Sequence, residues 1–373
     1  MTGSKDVPLY SMALRMDAMQ MGIELGGYWP TDRADWQNLF PEMVNVVKKA
    51  DEIGLDAIVV GEHHFMDYGC TPSPLSMIAH IASFVRVPRL VAAILMVPIH
   101  DAPILAGEIA QVDHLTGGRL EIGPARGGAP YEYDLTFRAG DAETTRRNFE
   151  EQFKALRMLF TETNCNFEGE FTKFRNVTIM PPVLRKPHPP IWQACQREEA
   201  AFHCAKNGYH VFTSSLRRPI TYVRGMREAF DAGLAAAEGT RPQGQPEFAH
   251  LQWVYVGKDD ADVREKLQIA YKKQRKFWGQ WTNTTTYQVV DGRVPEIDMP
   301  DTVDDMAKGI IFGTKNQVLE RLLEIAELGT DLMVMKTGFG QSNPDEVGSL
   351  DRLAEHILPE IQTSRAAPKR ASR

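Results

Sequence analysis

Three consecutive residues, Glu62-His63-His64, follow the apolar run Ile58–Gly61. A carboxylate beside two imidazoles suits three kinds of work: gripping a metal, moving protons, or packing as a satisfied core group. Adjacent side chains of an extended chain point to opposite faces, so His63 and His64 cannot easily hold one metal together. The alternate-residue histidine pair that barrel metallohydrolases carry on one strand is missing, and no metal is expected. One histidine is then expected to face a site as proton donor, acceptor or orienter. The other packs between strand and helix.

Two further stretches carry chemistry of a different kind. In "GPARGGAPYEYD", residues 123–134, clustered glycines allow a backbone to approach a ligand, and Arg126 offers a planar fork that matches phosphate oxygens. In "IWQACQREEA" a strand runs straight into a helix, so the amides of Gln196 to Glu198, with Arg197 adding charge, form an anion nest. Either feature also has an ordinary reading, as a surface ion pair or as the helix start that any βα unit possesses. Asp113-His114 ends a helix before Gly117, where a capping histidine suffices. His100, just past a strand, is placed to support a site rather than to react.

These residues need elements to position them, and the pattern supplies eight. Apolar runs begin near Gln20, Ala57, Arg89, Arg119, Pro189, Tyr209, Glu247 and Asp331, each leading towards an amphipathic helical stretch. This alternation predicts a single (β/α)8 barrel over residues 20–363, with a doubly wound open sheet as the other arrangement. Two insertions interrupt it. Residues 161–178, after strand and helix four, read as a hairpin turning at Gly169; residues 279–311, after strand and helix seven, are polar with little periodicity. Residues 1–19 read as an N-terminal extension and 364–373 as a flexible basic tail. In either architecture function sits at the carboxyl ends of the strands, where Glu62-His63-His64, Arg126 and Gln196-Arg197 all fall.

Composition narrows the setting. The 373 residues carry 49 acidic against 42 basic side chains, a formal charge of −7, which argues against nucleic acid or an anionic membrane as main partner. Cys70, Cys165, Cys195 and Cys204 show no CxxC spacing, so no disulfide framework is expected and a reducing cytoplasm is the expected compartment. The first twenty residues lack the apolar core of a signal peptide, and Leu90–Ile99 is too short to span a bilayer.

Taken together, "GLDAIVVGEHHFMDYG", "AAILMVPIHDAPILAGEIAQVDHLTGGRLEIGPARGGAPYEY", "PPIWQACQREEAAFHCAKNG" and "FGTKNQVLERLLEIAELGTDLMVM" resemble the bacterial luciferase-like flavin monooxygenases, from about Gln20 to Pro359. The resemblance implies a barrel that takes reduced FMN from a separate NAD(P)H:flavin reductase, forms a flavin (hydro)peroxide with oxygen and oxygenates a small, largely apolar organic molecule. It implies that His63 serves the flavin–oxygen site, that Arg126 holds the FMN phosphate with help from Gln196 and Arg197, and that a non-prolyl cis peptide at Ala93-Ile94 lies by the flavin ring. It further implies a homo-oligomer, commonly a dimer or tetramer, and a mobile cover at residues 279–311, where Trp278, Trp281 and Tyr287 could close over an apolar substrate.

The chain departs from the family's pattern in three places. Pro124 stands where a small or branched residue is usual, "CQRE" replaces a hydroxyl-bearing helix start, and Ala125 takes the place of the luciferases' reactive cysteine. Emission of light and an aldehyde substrate are therefore not implied. Two other readings share this barrel: a deazaflavin-dependent oxidoreductase transferring hydride without oxygen, and a non-catalytic flavin-binding subunit. The EHHF segment favours the monooxygenase, and the retained His63 speaks against the subunit.

Overall fold

The computed structural model describes residues 19–28, 36–128, 132, 141–215, 218–238, 244–282, 291–294, 296–298 and 300–364, with the side chains of 27–28, 277–282 and 363–364 left aside. Eight parallel strands close into a barrel: β1 (Gln20–Tyr28), β2 (Ala57–Val60), β3 (Arg89–Met96), β4 (Leu120–Ala125), β7 (Trp192–Ala194), β8 (His210–Ser214), β9 (Phe248–Val256) and β11 (Leu332–Phe339). Their order is β4-β3-β2-β1-β11-β9-β8-β7, and an Ile122–Ile191 bridge joins the two ends, its Ile122 amide donating to the Pro190 carbonyl at 2.9 Å. The barrel expected from the alternation is the one observed.

Period-two patterning sorts each strand's side chains. Ile58 and Val60 face the surrounding helices, while Ala57, Val59, Val91, Ala93, Ala249, Leu332 and Val334 fill the lumen. Below them lies a buried polar layer. Arg89 grips Glu121 with two bonds of 3.0 Å, Glu121 also accepts from the Trp192 indole at 2.6 Å, and Arg89 meets Glu247 at 2.7 Å. Arg89 is thus shared between buried Glu121 and half-buried Glu247, and this cluster closes the lower end of the barrel.

At the upper end β3 and β4 come unusually close. Their register slips between Ala93 and Leu95, and a Cβ on Gly123 would stand 2.7 Å from that of Ala93. The peptide linking Ala93 to Ile94 is cis, at the place the family resemblance implies.

The first insertion is the expected hairpin, β5 (Cys165–Glu168) and β6 (Lys173–Val177). Glu151, on the preceding helix Ala142–Thr161, accepts the turn amides of Glu170, Phe171 and Thr172 at 2.7–2.8 Å.

The described part of the second insertion carries elements that its sequence does not show. The helix Asp260–Thr282 runs into it, Val303–Gly309 is a short helix with a Thr302–Asp305 capping box, and β10 (Ile311–Gly313) pairs with the far end of β9. The capping box is legible in residues 302–305, but the elements are too short to show a period. Asp67, in the loop after β2, fastens this region: it meets Lys276 at 3.1 Å and accepts the Val294 amide at 3.0 Å. The side chains of Trp278, Trp281 and Tyr287 lie outside the described residues, as do residues 1–18, 129–131, 133–140 and 365–373.

The helix after β2, Pro74–Ile81, stops short of Phe84. The Arg119 guanidinium takes the carbonyls of Ala82, Val85 and Val87 that follow, capping that turn from a neighbouring strand.

The closeness at Gly123 can be tested directly. Gly123→Ala is expected to lower unfolding free energy by about 1–3 kcal/mol, the usual cost of overpacking, in a denaturant titration of the full chain. An unchanged midpoint would show that β3 and β4 have room to part.

Candidate active site

Glu62 organises the mouth of the barrel. It is fully buried, and its Oε1 lies 2.7 Å from the Nε2 atoms of both His64 and His100, while Oε2 accepts the Met96 amide at 2.8 Å. A carboxylate only accepts, so both imidazoles carry a proton on Nε2. Burial works to raise the Glu62 carboxyl, but the bonds from His100 and His64, the His100 charge and the Met96 amide together hold it at about 2. Glu62, left without a role by the sequence, thus sets two tautomers and ties β2 to β3. His64 is correspondingly a hydrogen-bonded brace and not mere packing, and His100 supports it as expected.

His63 alternates to the opposite side. Its ring lies on Tyr68, with centroids 4.8 Å apart, and its Nδ1 sits 3.4 Å from Glu132. That Nδ1 is buried and forms no hydrogen bond of acceptable geometry among the described residues. Glu132 is pinned by the His64 amide at 2.6 Å. Gly69, with φ +71°, takes a left-handed turn that side chains avoid, and a Cβ there would meet His63 Cδ2 at 3.0 Å. The loop after β2 therefore wraps closely round His63.

Beside it stands a buried ion pair that sequence reading missed. Lys336 on β11 meets Glu24 on β1 at 2.7 Å and donates to the Tyr68 hydroxyl. Burial alone would push the Lys336 ammonium down; Glu24 and Tyr68 more than offset it and keep it charged, while burial raises the Tyr68 phenol. A Cβ on Gly61 would stand 3.6 Å from both Glu24 Oε1 and the Ala93 carbonyl, so the ion pair and the cis peptide converge on one small-residue wall. The clue in the sequence was a lysine in the otherwise apolar run "DLMVMKTG".

Arg126 leaves β4 at the same rim. It is exposed, and among the described residues it meets no carboxylate and no hydrogen-bond acceptor. Gln196 and Arg197 leave β7 nearby in the fold order, and Arg197 caps the helix Glu198–Lys206 with its backbone extended. Gln196 Oε1 accepts from Arg218 at 3.0 Å and Tyr222 at 3.1 Å, two residues absent from the sequence reading. Asp113 and His114 stay apart from all this: Asp113 holds the amides of Leu184 and Arg185, and His114 bonds the Pro182 carbonyl.

A family model described as luciferase-like monooxygenase matches residues 22–332. The chain belongs to that family. It is 27% identical over 352 residues to the oxygenase component of the flavin-dependent trigonelline monooxygenase of Acinetobacter baylyi, spanning 92% of this chain and 95% of that one. Among solved structures it is similar to the monooxygenase RslO1 of Streptomyces bottropensis, with a TM-score of 0.77 at 24% identity, covering 92% of this chain and 99% of the other. It is also similar to the oxygenating constituent of 3,6-diketocamphane monooxygenase of Pseudomonas putida in complex with FMN, with a TM-score of 0.72, 14% identity and the same coverages. This luciferase-like protein is a flavin-dependent monooxygenase. No helix among the described residues is long and apolar enough to cross a membrane.

The Glu62 network sets a pH dependence. A carboxyl held below its ordinary 4.5 stabilises the fold fully above that pH and ceases to do so as pH falls towards 2. Wild type should therefore exceed Glu62→Gln in stability by about 3 kcal/mol at neutral pH, the gap shrinking between pH 4.5 and 2. Parallel stability curves for the two proteins, from denaturant unfolding across that range, would remove Glu62 from this role.

Proposed function

We propose that this chain is the oxygenase component of a two-component system, taking FMNH2 from a separate NAD(P)H:flavin reductase and adding one oxygen atom to a small, largely apolar organic molecule. The observation that carries the reading is the arrangement of the mouth. Among the described residues, a histidine with an unsatisfied buried nitrogen, an arginine that meets no acceptor and a small-residue wall at a cis peptide share one rim. The similarity to an oxygenase component and to a barrel complexed with FMN supports the same cofactor and the same division of labour.

When bound, reduced FMN would supply the electrons that activate oxygen. Arg126 would hold the phosphate with a charge-assisted pair of bonds, and the Gln196–Arg197 helix start would add amides to the same end. Gly61 and Ala93 would offer a flat ring a wall of small residues at the exits of β2 and β3. His63, braced by Tyr68 and Glu132, would hold or release a proton at Nδ1 or Nε2 beside that ring. The apolar lumen and the Asp67-anchored region limit water, which such chemistry requires.

The decisive experiment supplies FMNH2 and oxygen with a panel of organic compounds and seeks products heavier by one oxygen. Oxygen uptake with FMNH2 supports the monooxygenase; hydride transfer from a reduced deazaflavin without oxygen uptake would replace it by the alternative chemistry. Arg126→Ala is expected to weaken FMNH2 binding by about 1–3 kcal/mol, and unchanged affinity would take Arg126 out of the site. His63→Ala is expected to retain FMNH2 binding but lose coupled product, with oxygen appearing as hydrogen peroxide. Equal product yield would assign the proton work elsewhere.

A further inference from the structure

Cys195 and Cys204, nine positions apart, carry their sulfurs 3.6 Å from each other. Cys195 ends the strand run of β7 and immediately precedes Gln196 and Arg197, whereas Cys204 lies on the helix Glu198–Lys206. We propose that this pair is an oxidative modification site, which hydrogen peroxide closes to a disulfide, and that closure loosens the phosphate end of the flavin site. The consequence for flavin rests on the function proposed above; the modification itself does not.

The two thiols have different environments. Cys195 is buried, with 2% of its surface exposed, while Cys204 is only half-buried and so open to a small oxidant. The Cys195 thiol donates to the Cys204 sulfur, which draws Cys204 down from its ordinary value and leaves Cys195 raised. Cys204 is thus the attacking sulfur: its thiolate takes one oxygen of the peroxide to give a sulfenic acid, and the other oxygen leaves as water once protonated. The Cys195 sulfur then attacks the sulfenic sulfur and a second water departs. Two thiols and one peroxide give one disulfide and two waters. The oxidant is close by, since reduced flavin and oxygen yield hydrogen peroxide whenever no substrate intervenes.

A disulfide needs the sulfurs roughly 2 Å apart, so the gap must shrink. The helix cannot supply that motion. It lies against Ile220–Ala235 with no slack: a Cβ on Gly233 would stand 2.3 Å from the Phe202 carbonyl and one on Gly225 2.4 Å from Glu198 Oε1. The adjustment therefore falls on the turn of Cys195, Gln196 and Arg197, and it pulls Gln196 against its bonds to Arg218 and Tyr222. The backbone amides of Gln196 and Arg197 in that turn are the ones proposed to face the FMN phosphate.

The full-length protein is treated with modest hydrogen peroxide, alkylated, and examined by intact mass and peptide mapping, and FMN binding is titrated before and after. The expected result is a Cys195–Cys204 link, free thiols falling from four to two, a loss of about 2 Da, and an FMN dissociation constant raised about tenfold and restored by a thiol reductant. Cys204→Ala is expected to keep its three remaining thiols, form no link and hold its FMN affinity through the treatment. Absence of the link at doses that oxidise other cysteines overturns the proposal, as does a linked protein whose FMN affinity is unchanged. A link in a protein that binds no FMN in either state leaves the modification standing and refutes the flavin reading.

Discussion

Everything at the mouth of this barrel depends on one buried carboxylate that has been satisfied on all sides. An ionised glutamate in the interior persists only where donors surround it, and Glu62 finds them in two imidazoles and a strand amide. Those three donors come from the exit of β2, the end of β3 and the turn beyond it. Satisfying Glu62 therefore locks the tops of two strands together and commits Glu62 and His64 to one side of the chain. His63 is left on the other side, where Tyr68 and Gly69 pack closely against its ring.

The buried ion pair of Lys336 and Glu24 contributes differently. It places a charged, hydrogen-bonded group inside an apolar lumen without leaving either charge uncompensated. Its link to Tyr68 extends bracing from β11 across β1 to the loop that holds His63. Three segments distant in sequence are thus joined behind a single imidazole, which parallel barrels permit because all their strands end on one face.

Much of this was legible in the residues. The eight strands declared themselves because each apolar run was followed by a helix-period stretch, and the hairpin because Gly169 sat between alternating segments. His63, Arg126 and Gln196-Arg197 stand out in the sequence because they occupy strand exits. Glu62 resisted assignment because its partners, Met96 and His100, are more than thirty residues away and only tertiary structure brings them in. Lys336 and Glu24 were hidden for the same reason: an isolated charge in a strand carries no sign of its counter-charge. The pairing of Cys195 with Cys204 was missed because spacing was judged against metal motifs, whereas a strand leading directly into a helix folds nine residues back upon themselves.

The fastening of Asp67 has a consequence for how the enzyme works as a whole. Asp67 holds both Lys276 and the Val294 amide, and its neighbour in the chain is Tyr68, the residue on which the His63 ring rests. The loop after β2 thus does two jobs with adjacent residues: Asp67 anchors the second insertion, and Tyr68 backs the His63 ring.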